Sequence, residues 1–163
     1  MMLSKWTFFQ MLVIVGLGVV AFVAEQFSSK IAVPSISANQ QGILTLSFIL
    51  IVVGLLSLLL FFQTKKSETF LVHRLWQKMP ILLLIILSVS IVAMIALVNP
   101  ITELVERFRF VLYVIIYYII YLTNLLVVSF VHKNADSSTT NERKVSTGFW
   151  WTCFIFVALQ FIL

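Results

Sequence analysis

The chain has 163 residues, of which 61% are hydrophobic and 10% charged, with a mean hydropathy of +1.10. A chain this short has no single core large enough to hide so much apolar surface, so a soluble domain is excluded and the bilayer is the solvent that fits. The net charge of +5 comes from Lys and Arg split among several loops. That excludes a nucleic-acid patch and reports orientation across a membrane instead.

The expected fold is all-α: one integral membrane domain over 1–163, a bundle of five spans. The first span is 6–24, with Lys5 and Trp6 anchoring its start. It is expected to be retained, because its apolar run exceeds a signal-peptide core. Phe22 also stands where cleavage before Glu25 needs a small residue. Gly16, Val20 and Ala24 share one face, a spacing that lets another helix approach closely. A polar loop is expected over 25–42, with Pro34 breaking any helix there.

The second span is 43–62. Ser47, Gly54 and Ser57 fall within about 80° of one another and form a second small-residue seam. After it, Lys65, Lys66, Arg74 and Lys78 stand against one Glu68. Leu71, Val72, Leu75, Trp76 and Met79 gather on one side of a helical wheel, opposite His73, Arg74, Gln77 and Lys78. This pattern predicts an amphipathic helix over 67–79 lying in the interface, with Lys65, Lys66, Arg74, Trp76 and Lys78 at the membrane surface. A solvated loop of the same composition is the plainer alternative.

The third span is 79–98, opened by Pro80. Asn99 suits the cap of a new helix and Pro100 its first position, so a short hairpin to the fourth span is expected. Glu103 and Arg107, four apart, are expected to pair there.

The fourth span, 108–131, is the one apolar segment with an organised polar face. With Glu106 as the zero of the wheel, Arg109 lies about 60° to one side, Tyr113 and Tyr117 within about 20°, Tyr121 about 60° to the other side and Asn124 on top. A phenol or amide in hydrocarbon needs a hydrogen bond, so this stripe is expected to face other helices or a wet cavity. As packing, the tyrosines anchor and Asn124 bonds to another helix. As a ligand path, Arg109, Tyr113, Tyr117, Tyr121 and Asn124 line an outward-facing pocket for an anionic small molecule or lipid. The Ser/Thr/Asn-rich run 132–144 is expected to be a connector. The fifth span is 145–163, with Trp150 and Trp151 near its start, and an interfacial segment is its alternative.

With five spans, eight of the 11 Lys and Arg fall on the side of the N-terminus and the Lys65 and Lys133 loops; Lys30, Arg107 and Arg109 fall on the other. That excess predicts a multi-pass protein of the plasma (cell inner) membrane, N-terminus in the cytoplasm and C-terminus outside.

The chain carries no phosphate loop, zinc-protease motif or nucleophile elbow, and its one cysteine, Cys153, forms no pair. His73 and His132 make a weak metal pair, so no metal and no cofactor is expected. Glu103 and Glu106 are expected to be neutralised by Arg107 and Arg109 rather than to act as acid and base. No ionisable residue lies mid-span, which counts against a proton-coupled pump. The expectation is therefore a non-enzymatic accessory, regulatory or assembly subunit of a larger membrane complex. Its partners would be membrane lipids and another integral membrane protein or a second copy. The alternative is a small-molecule or lipid carrier built on the stripe.

Overall fold

The computed structural model describes residues 5–31, 38–67, 70–71, 74–136 and 138–162, with the backbone alone at 28–31, 38–39 and 74. All regular structure among them is helical: α1 (Lys5–Ile31), α2 (Ala38–Lys66), a single 3-10 turn at Arg74–Gln77, α3 (Met79–Ala96), α4 (Val98–Arg107), α5 (Phe110–Asn134) and α6 (Asn141–Ile162). Five of the six α-helices, all but α4, are long and apolar enough to cross a membrane. Helix is the form that leaves no backbone amide unpaired in hydrocarbon.

The long helices overrun the predicted spans. α1 continues through Glu25 and Gln26 to Ile31 and α2 already starts at Ala38, so most of the expected 25–42 loop is helix. Glu and Gln are good helix formers, and polarity alone does not end a helix. Pro34 lies outside the described residues.

α2, α5 and α6 pack against one another as a triangle; α1 lies along α2, and α3 lies along α5. One core cluster joins Leu17, Val52, Val53, Leu56 and Ile120, with Phe149, Cys153 and Phe156 against it. A second joins Leu60, Leu71, Trp76, Val128 and Val145. α6 runs antiparallel to α5, with Gly148 against Val128 and Thr152 against Asn124. The fifth segment is thus part of the bundle rather than an appendage lying apart from it.

The structure corrects several expectations. Within 67–79 the described residues form only a turn at Phe70–Leu71 and the 3-10 turn. Trp76 is 4% exposed inside the second core cluster, so its ring packs against protein rather than standing free as an anchor. Its ring meets Phe70 edge-on and approaches His132. Lys66 and Lys78 are exposed and Lys65 half-buried, while Glu68, His73 and the Arg74 side chain lie outside the described residues. The short amphipathic helix is instead α4. Val98, Ile101 and Val105 share one side of it, Asn99, Glu103 and Glu106 take the other, and none of its residues is buried. Asn99 does not cap it; the N-cap is Leu97, without a side-chain bond. Glu103 and Arg107 form no ion pair among the described residues.

Candidate functional site

α4 ends at Phe108, whose φ of −138° and ψ of 85° break the helical path before α5 begins at Phe110. Glu106 therefore sits on a different helix from the rest of the stripe. The carboxylate that Arg109 meets comes from α1: Arg109 Nη1 lies 3.1 Å from Glu25 Oε1. Tyr113 Oη donates to the other oxygen of Glu25 at 3.1 Å. One carboxylate thus holds two residues of α5. One turn deeper, Tyr117 Oη donates to the Leu17 carbonyl of α1 at 2.9 Å, with its ring stacked on Phe48.

Deeper still, Asn124 is fully buried. Its Nδ2 donates to Ser57 Oγ of α2 at 2.9 Å, and its Oδ1 accepts from Thr152 Oγ1 of α6 at 3.2 Å. The single Thr152 hydroxyl proton is shared between this oxygen and the nearer Gly148 carbonyl in its own helix, at 2.8 Å. Both ends of the amide are satisfied within the chain, and the junction ties the three helices of the triangle together. Tyr118, on the other face of α5, shares a 2.8 Å hydrogen bond with Ser90 of α3.

The stripe residues do not line one cavity. A groove of about 540 Å³ between α1 and α5 is walled by Gly18, Ala21, Phe22, Glu25, Tyr113 and Tyr117. Tyr121 borders another, of about 530 Å³, beside Gln10 and Gln63, which bond to each other at 2.9 Å. Asn124 borders neither.

The small-residue positions also divide. Gly16, Val20 and Ala24 are half-buried, and a Cβ on Gly16 would meet Leu55 of α2 at an ordinary 3.9 Å. Ser57 is buried in the Asn124 junction, and Gly54 faces Phe149 of α6. Ser47 is exposed and bonds to the Ile43 carbonyl of its own helix. The glycine that the fold needs most, Gly148, is not among the seams read from spacing. Its place is set by a neighbour on another helix, which a sequence window does not contain.

At the opposite end of the bundle Lys65 of α2 pairs with Glu142 of α6. Lys144 is buried there, and so is the His132 Nδ1, which has no hydrogen-bond partner among the described residues. No group of three or more His, Cys, Asp or Glu gathers to hold a metal among those residues. The chain matches no known family model, no curated protein and no solved structure.

Proposed function

We propose that this chain is a non-enzymatic accessory or assembly subunit of a larger membrane complex, docked to its partner through α3. The observation that supports this is the outer face of α3. Ile81, Ile85, Ser88, Val92 and Ile95 recur at four- and three-residue intervals and are all exposed. The opposite side, through Leu83 and Ser90, meets α5. Lipid tails require no register, whereas a heptad of β-branched residues around a small Ser is the seam a second helix interlocks with. On the charge excess, Lys66 lies on the cytoplasmic side of a plasma membrane and α4 on the outer side.

A photo-crosslinking residue at Ile85 or Val92, irradiated in native membranes, tests this. A discrete adduct with a larger membrane protein, absent when the probe replaces Val15 on the exposed side of α1, is the expected result. Adducts with lipid alone from both helices remove the docking face.

A second reading rests on the groove between α1 and α5. Its aliphatic walls and the Glu25, Tyr113 and Tyr117 polar groups fit a lipid-like molecule with a hydrogen-bonding head. In that reading Tyr113→Phe and Tyr117→Phe lose ligand while the bundle still folds; unchanged ligand retention removes it.

A further inference from the structure

Between α5 and α6, at the Lys65–Glu142 end, lies an open groove of about 770 Å³, with Phe130 and Trp151 exposed along it. Its lining changes character along its length. Val127, Phe130, Trp151 and Ile155 make the part towards the middle of the bundle apolar. Asn134, Ser138, Thr147, Arg143 and Lys144 make the part towards the helix ends polar and basic.

Lys144 is the unusual member. It is 7% exposed, yet among the described residues its ammonium has no carboxylate within ion-pair distance and no hydrogen bond. The neighbouring Glu142 is already taken by Lys65. A cation held at the mouth of a groove by a packed stem is placed to pair with an anion. Arg143, beside it, is exposed and contributes a second positive charge to the same groove. Asp136 also borders the groove, but it is exposed and pairs with neither.

We propose that this groove is a binding site for one anionic phospholipid. Its phosphate rests on Lys144 and Arg143, and one acyl chain runs along Phe130, Trp151 and Ile155. The polarity gradient of the wall matches that of the lipid, and the site sits where a headgroup sits when α5 and α6 span the bilayer. Asn134, Ser138 and the Asp136 carboxylate border the space a hydroxylated headgroup occupies, which favours phosphatidylglycerol-like lipids over choline-bearing ones.

The test is native mass spectrometry of the full chain in mild detergent. The detergent carries equal amounts of phosphatidylglycerol and phosphatidylcholine with the same acyl chains. The wild type is expected to retain phosphatidylglycerol preferentially, and Lys144→Met to lower that preference roughly tenfold. Lys66→Gln, which removes an exposed charge at the same end of the bundle but outside the groove, is expected to leave it intact. Equal retention of the two lipids by the wild type overturns the proposal. So does a preference that survives Lys144→Met, or one that Lys66→Gln lowers as much. Thermal melting in the same detergent reports folding. If Lys144→Met does not fold, Arg143→Gln decides: a loss of about threefold supports the site and no loss overturns it.

Discussion

A Cβ built on Gly148 would stand 2.5 Å from Val128 Cγ2 and 3.2 Å from Val128 Cα, so α5 and α6 touch there through backbone. Gly148→Ala forces that contact apart and is expected to cost about 1–3 kcal/mol. Gly18, with nothing within 4 Å of the same built atom, supplies the contrast. Gly18→Ala is expected to be neutral, or to stabilise by up to about 1 kcal/mol through helix propensity. Thermal melting of both variants in one detergent checks the pair.

Asn124 and Thr152 are expected to be energetically coupled. A double-mutant cycle with Asn124→Ala and Thr152→Val isolates their hydrogen bond, and a coupling of about 0.5–2 kcal/mol is expected. Additive effects of the two changes would mean the 3.2 Å contact contributes nothing to stability.

Trp76→Ala distinguishes a core residue from a surface anchor. Buried among Leu60, Leu71, Val128 and Val145, its loss is expected to cost about 3–5 kcal/mol. A residue resting in the headgroup layer would lose far less, so a melting temperature close to wild type contradicts the packing described here.

The Glu25–Arg109 pair is open on its outer side, with the Arg109 side chain two-thirds exposed. Arg109→Gln is accordingly expected to destabilise by less than about 1 kcal/mol. The difference from wild type should shrink as salt is raised. Glu106→Gln, on the separate helix α4, is expected to leave stability unchanged.

The proposed orientation is checked by labelling intact cells with a membrane-impermeant maleimide in a Cys153→Ser background. Glu103→Cys is expected to label and Lys66→Cys to require permeabilised cells. The reverse pattern inverts the topology.

The number of long apolar helices and the organised face of α5 were legible in the sequence, because both depend on composition and period within one segment. What a face meets was not. Glu25 partners Arg109 across 84 positions, and nothing local distinguishes it from Glu106, three residues away and pointing the same way on an ideal wheel. The break at Phe108 separates the two, and the sequence there carries neither Gly nor Pro to announce it. Trp76 read as an interfacial anchor because it sits among Lys and Arg. Its packing against Leu60, Leu71, Val128 and Val145 was not legible, because those partners come from other segments of the chain. Ser57 stood out as a small residue, but its role as an acceptor for Asn124 depends on the rotation of two helices about their own axes.

The Asn124 junction also orders events in time. α2 and α5 precede α6 in the chain, so Ser57 is available to the amide before Thr152 has been made. A chain halted after α5 lacks Thr152, the donor to that amide oxygen. Thr152 of α6 supplies that donor, so the completed chain pairs the group that the shorter one leaves open.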